Sequence, residues 1–299
     1  MKPLRRDISP LPVKNGVSPN CLYLPKGEWR TVYEYFLDRF SHLSPSQLAS
    51  RFENKEVVTR NGEILSELSQ YKSDQHIYFY RELAHEITIP FEEKIIYEDE
   101  NILVADKPHF LPVAPTGQYL QETLIVRLRR KLNNDSLELC HRLDRETAGV
   151  VLLTKKPQLR GQYHRLFSER LIKKTYHALV KAKETDFPII HKSRLIKGEP
   201  FFRMKEVLGN SNSETFIELL EKRDAFNLVR LIPVSGKKHQ LRVHLAALDM
   251  PIVNDIFYPV LEEKKMPVFA NPLQLLAKSL EFTDPISKVS KRFESGFSL

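Results

Sequence analysis

One stretch constrains this chain more than any other: residues 141–155, HRLDRETAGVVLLTK. The apolar run VVLL is short, β-branched at its start and preceded by Gly149. Such a run predicts a strand buried on both faces. Asp144 then falls in the loop or turn feeding a central strand, where rigid scaffold can hold a catalytic carboxylate in place. Arg142 and Arg145 are near in sequence. A guanidinium facing Asp144 would favour the ionised carboxylate, which can act as nucleophile or base. The plainer alternative is that these Arg–Asp neighbours form surface salt bridges or turns, because perturbed carboxylates are not always functional.

A length of 299 residues suggests two domains, one of them large. No apolar run approaches the roughly 20 residues that span a bilayer, and the N-terminal MKPLRRDISPLP lacks the apolar core of a secretory signal. Two cysteines, Cys21 and Cys140, are too few for a disulfide framework, and no Cys/His cluster has metal-ligand spacing. The expected setting is reducing and cytoplasmic, for a protein without metal that is not held at a membrane. The net charge of +8 favours a polyanionic partner.

Residues 1–29 carry prolines and glycines with little periodicity and read as an extended arm. TVYEYFLDRF then places Val32, Tyr35, Phe36 and Phe40 at helical spacing. Ser44-Pro45-Ser46 starts a second helix. Asn61-Gly62 between apolar residues signals a hairpin, and HIYFYRE reads as a strand. A Pro-containing boundary follows near residues 85–94.

Downstream, KIIYEDENILVADKP reads as two strands joined at an acidic turn. Residues 120–132 predict an amphipathic helix with a solvated charged face. Pro157 suits a first helical turn, and Leu159, Tyr163, Leu166 and Phe167 mark one helical face. KKTYHALVKA puts Tyr176, Ala178 and Val180 on one side of a strand. Three strand-like pieces over residues 194–234 imply antiparallel pairing. Ser235 is read as the N-cap of a helix whose buried stripe is Leu241, His244, Leu245 and Leu248, with Arg242 beside it.

Several of these blocks share one resemblance. HRLDRETAG resembles the signature of the pseudouridine synthases of the ribosomal large-subunit (RluA) type, with Ala148 where the family usually has Ser. The strand ending in Asp106-Lys107-Pro108 resembles the family's opening motif, though His109-Phe110 replaces the usual small residue and Gly. Lys174-Thr175-Tyr176 resembles the motif whose Tyr packs at the target base. SGKKHQLRVHLAALDMPIVNDIFY resembles the third motif, with Gly236-Lys237-Lys238 in place of Gly-Arg-Thr. LQLLAKSLEF resembles a final strand, with Leu276 where a His is frequent.

The resemblance covers about residues 94–284 and implies an α+β fold. That fold has a mixed, mainly antiparallel sheet, peripheral helices and a cleft across the sheet. The expected domains are an arm (1–29), a small module (30–84) and a catalytic domain (85–299). The helices and hairpin of the module resemble the alpha-L RNA-binding domain, and a purely structural extension is the alternative. The implied activity is isomerisation of uridine to pseudouridine in structured RNA, rRNA or tRNA, by a monomer without cofactor. Asp144 would be the nucleophile and Arg242 its partner. Tyr176 would stack on a flipped pyrimidine, unless it is a packed core tyrosine. RNA contacts are expected from Arg142, Arg145, Lys107, Lys174, Lys237, Lys238 and His239. Lys237 and Lys238 near a helix N-terminus suit phosphate, or form a solvated basic pair. Rival readings are a non-catalytic RNA-binding protein of the same fold and a nucleoside glycosidase. The glycosidase would usually need a second working carboxylate.

Overall fold

The computed structural model describes residues 9–83, 85–262 and 269–299. The chain forms two compact units. The smaller takes the described residues up to Glu86 together with Pro115–Gln121, and the larger takes Ile87–Ala114 and the described residues from Glu122 onward.

The smaller unit runs β1 (Asn20–Leu24), α1 (Val32–Arg39), α2 (Pro45–Glu53), β2 (Val57–Thr59) and β3 (Gln75–Phe79). Both helices start where their caps require. The Thr31 hydroxyl accepts from the Glu34 amide, and Ser44 and Gln47 form a reciprocal capping box ahead of Pro45. Val32, Tyr35, Phe36, Leu48 and Phe52 pack against Leu24, Val57, Ile77 and Phe79 of the antiparallel sheet β1–β3–β2. The expected arm is therefore not wholly irregular. Its residues 20–24 alternate outward and inward and pair with β3, a strand too short to show a period between flanking prolines. At Asn61-Gly62 the chain does turn back: the Gly62 amide donates to the Thr59 carbonyl and Gly62 has φ +85°. The returning arm contributes only an isolated bridge, Ile64 to Val58, and β2 takes β3 as its main partner.

The larger unit contains β4 (Lys94–Glu98), β5 (Ile102–Lys107), α3 (Leu124–Lys131), β6 (Glu138–Leu139), β7 (Ala148–Thr154), α4 (Arg160–Ser168), β8 (Lys173–Lys181) and β9 (Ile189–Lys197). It continues with β10 (Met204–Val207), β11 (Ser213–Lys222), β12 (Phe226–Pro233), α5 (Gln240–Ala247), β13 (Leu275–Thr283) and β14 (Ser290–Glu294). They build a sheet of order β10-β9-β11-β12-β8-β13-β7-β5-β4, with β14 beside β13 and β6 beside β7. Among the described residues every pairing is antiparallel except β7 with β13. All seven residues of β7 are buried, as its apolar run predicts. Gly149 is required at the parallel junction: its φ is +117°, and a Cβ there would lie 2.2 Å from the Ala277 carbonyl oxygen.

Two apolar clusters pack helices against the large sheet. Val150, Leu152, Tyr163, Leu166 and Phe282 form one beneath α4. Ala178, Val180, Val229, Leu231, Leu241 and Leu245 form the other beneath α5.

Two further expectations need correction. The helix expected over 120–132 starts at Leu124, because the Leu120 and Gln121 amides donate instead to the Glu86 carboxylate in the smaller unit. Ser235 does not cap α5. Its hydroxyl accepts from the Glu214 amide and donates to Gln240 Oε1, while left-handed His239 (φ 54°) precedes the first turn. Strand β14 has no counterpart in the sequence pattern; it follows β13 after a short turn closed on Asp284.

Candidate active site

Asp144 sits in the turn between β6 and β7, and its neighbours fix it from two directions. The Thr147 amide donates to the Asp144 carbonyl. His141 Nε2 accepts the Leu152 amide at 3.0 Å, and its ring stacks on Phe167 with centroids 4.4 Å apart. An imidazole that accepts there must be neutral, and burial holds its pKa down to about 3. On the other side Lys107, at the end of β5, donates to the carbonyls of Pro108, Leu111 and Arg145 at 2.9, 2.8 and 3.1 Å. The Arg145 carbonyl adjoins Asp144, so this buried ammonium ties the loop to the sheet. Burial lowers the Lys107 pKa to about 7.

Helix α5 brings Arg242 to the carboxylate. Arg242 Nη1 lies 3.6 Å from Asp144 Oδ2, and His239 Nε2 lies 3.7 Å from Oδ1. The rest of the guanidinium is held by Asp255: Nε to Oδ2 at 2.8 Å and Nη2 to Oδ1 at 2.6 Å. Asp255 Oδ1 also accepts the Phe257 and Tyr258 amides. The guanidinium lies 4.7 Å from the Phe257 ring centroid and 5.5 Å from that of Tyr258. Burial opposes the charge on Arg242, but the Asp255 bonds and the Asp255, Asp144 and Glu146 charges raise its pKa above the ordinary value. Nη1 is buried and, among the described residues, makes no hydrogen bond. Arg242 is 1% exposed, whereas the Asp144 side chain is 23% exposed. The arrangement is a locked cation offering one free donor to a reachable carboxylate.

His239 is hydrogen-bonded through Nδ1 to the Tyr258 hydroxyl at 2.9 Å, and burial lowers its pKa to about 4. It faces Asp144 as a neutral ring at neutral pH. Tyr176 on β8 is half-buried against the α5 cluster. Burial, then the Asp144 charge, raises its phenol pKa, so the ring stays protonated and uncharged.

The expected RNA contacts fall into three groups. Arg142, Lys237 and Lys238 are exposed. Arg145 and Lys174 are half-buried: Arg145 pairs with Glu146 at 3.0 Å, and Lys174 donates to the Ser235 carbonyl at 3.1 Å. Burial and Arg170 lower the Lys174 pKa to about 8. Lys107 and His239 lie inside, one behind the Asp144 loop and one beside the carboxylate. Asp255 is a site residue that sequence reasoning misses. It lies within the stretch 235–258 that resembles the third motif, 13 residues beyond Arg242, but no role is read for it there.

Residues 101–247 match the model of the RNA pseudouridylate synthase family. The dual-specificity RNA pseudouridine synthase RluA of Vibrio parahaemolyticus is 31% identical over 207 residues, 64% of this chain and 78% of that protein. The chain belongs to the RNA pseudouridylate synthase family. Its relative in Saccharomyces cerevisiae, the mitochondrial tRNA pseudouridine(32) synthase, is 33% identical over 170 residues, 55% of this chain, and the chain spans only 37% of that protein's length. The solved structure of human RNA pseudouridylate synthase domain containing 4 aligns with a TM-score of 0.55 at 26% identity, over 68% of this chain and 88% of that one. The family's mixed, mainly antiparallel sheet is thus the fold of this chain. The stretch matching the family model includes Asp144, Tyr176 and Arg242 and ends before Asp255.

Proposed function

We propose that this protein is an RNA pseudouridine synthase that isomerises uridine in structured rRNA or tRNA, with Asp144 as its nucleophile. The observation that carries the reading is the unpaired Arg242 Nη1 directed at Asp144 from an otherwise satisfied clamp. A fixed cation beside a reachable carboxylate suits a reaction in which charge moves at that carboxylate. The target uridine leaves its stack to enter the site. Asp144 engages the nucleotide as the N1–C1′ bond breaks, the base turns over, C5 bonds to C1′, and the C5 proton departs while N1 gains one. Tyr176 stacks on the base. Arg142, Lys237 and Lys238 meet phosphates, or Arg142 fills the vacated stack. The smaller unit adds RNA affinity. The free cysteines Cys21 and Cys140 suit a reducing cytoplasm, and we take the working form to be a monomer.

The test is product analysis. Unmodified tRNA and rRNA transcripts are incubated with the purified protein, digested to nucleosides and separated. Pseudouridine is expected. Released uracil would turn the reading to a glycosidase, and bound but unaltered RNA to a non-catalytic binder.

A further inference from the structure

Antiparallel β9 and β10 form a hairpin at the edge of the large sheet, paired through Lys197–Met204 and Ile196–Lys205. Its tip is closed by the Gly198 amide donating to the Arg203 carbonyl and the Arg203 amide donating to the Pro200 carbonyl. At that tip Phe201 is 84% exposed. The tip is braced rather than loose. The Met204 amide donates to the Tyr258 hydroxyl at 2.7 Å, Arg203 Nη2 donates to the Pro259 carbonyl at 2.9 Å, and the Arg203 guanidinium lies 5.0 Å from the Tyr258 ring centroid. The same Tyr258 hydroxyl meets His239, which faces Asp144.

Aromatic rings lead from this tip to the reactive centre. Phe201 meets Phe202 edge-on at 5.6 Å, Phe202 meets Phe257 at 5.3 Å, and Phe257 lies 4.7 Å from the Arg242 guanidinium. A large bare ring contributes little to the fold. Over residues 197–205 it is flanked by Lys197, Arg203 and Lys205 against the single acid Glu199. A ring with free faces among cations is matched by a ligand that is flat, aromatic and joined to phosphates.

We propose that Phe201, backed by Phe202, is a stacking platform for an RNA base next to the target uridine, with Lys197 on an adjoining phosphate. This rests on the isomerase reading and assigns the hairpin to substrate positioning. The braced hairpin would hold a neighbouring base at a fixed offset from Asp144, so that the identity and stacking strength of that base influence which uridine enters.

The probe is a nine-nucleotide single-stranded RNA with a central uridine and 2-aminopurine on each side in turn. Binding to the wild-type protein should quench one of the two fluorophores through stacking. Phe201→Ala and Phe201→Leu should lose that quenching and weaken binding between about fivefold and about a hundredfold, the usual range for one stacked base. Phe201→Trp should retain both. Unchanged melting temperatures would exclude misfolding, as expected for an exposed side chain. No quenching with wild type, or quenching and affinity unchanged in Phe201→Ala, would overturn the proposal. The two readings fail separately. If the isomerase reading is wrong, tRNA and rRNA transcripts gain no pseudouridine while Phe201 still controls quenching. If the platform is wrong, pseudouridine forms and Phe201 has no effect on the fluorophore.

Discussion

Arg242 is bound to Asp255 by two short, near-parallel hydrogen bonds, 2.8 and 2.6 Å long, and both side chains are 1% exposed. That pair, rather than Arg242 with Asp144, is the structural ion pair of the site. Asp144 is the partner left partly open to solvent.

The first prediction separates these roles by stability. Asp255→Asn leaves a buried guanidinium without its counter-charge and is expected to cost roughly 3–5 kcal/mol in urea unfolding. Arg242→Met alone would strand Asp255 by a similar amount. The double variant Arg242→Met with Asp255→Asn removes both charges, so it is expected to fold, to bind RNA close to wild type and to lose turnover on the order of a hundredfold or more. Equal losses of affinity and turnover would make Arg242 a phosphate contact.

Much of this architecture is legible in the sequence. The β7 run, the Ser44-Pro45 cap and the paired strands around the acidic turn are local patterns, and the chain folds as they dictate. Asp255 is not legible, because its role arises only when the loop beyond α5 folds back onto Arg242. Lys107 is not legible for a related reason: its cage is made of carbonyls from two segments, and a sequence shows a lysine there only as a charge. His239 looks like part of a basic run, but left-handed backbone at that residue turns its ring inward. Strand β1 lies between Pro19 and Pro25 in a stretch read as an arm, and β14, Ser290–Glu294, has Phe293 as its one apolar residue, so neither shows a strand pattern.

Acid should destabilise the fold. His141, His239 and His244 have ring pKa values lowered by burial to about 3, 4 and 3. In the unfolded chain each returns to about 6.5, so the unfolded state binds more protons below that pH. The stability these neutral rings contribute is fully present above pH 6.5. It is lost as pH falls toward 4, at roughly 1.4 kcal/mol per pH unit for each group once below 6.5. Urea unfolding at pH 7.5, 6, 5 and 4.5 should show the decline. His141→Gln, which keeps an acceptor for the Leu152 amide without an imidazole to protonate, should show a shallower one. Equal slopes for wild type and variant would remove His141 from this explanation.

The smaller unit is expected to act through phosphates. Lys55, Arg60 and Lys72 are exposed on its loops. Replacing all three with Ala should reduce the salt dependence of RNA binding by about one unit of slope for each phosphate that no longer meets a cation, without loss of turnover on bound RNA. An unchanged slope would leave the unit a structural extension.

The most direct test concerns Asp144 itself. Asp144→Asn keeps the side chain's shape and removes the carboxylate that could attack. Arg242 remains paired with Asp255 in this variant, so the change in stability should be less than about 1 kcal/mol, as for a weak, partly exposed ion pair. The measurement is the pseudouridine content of unmodified tRNA and rRNA transcripts after incubation with Asp144→Asn, taken alongside its RNA affinity and melting temperature. A folded protein that binds RNA as wild type does and forms no pseudouridine is the predicted result; pseudouridine formed at the wild-type rate would contradict the account.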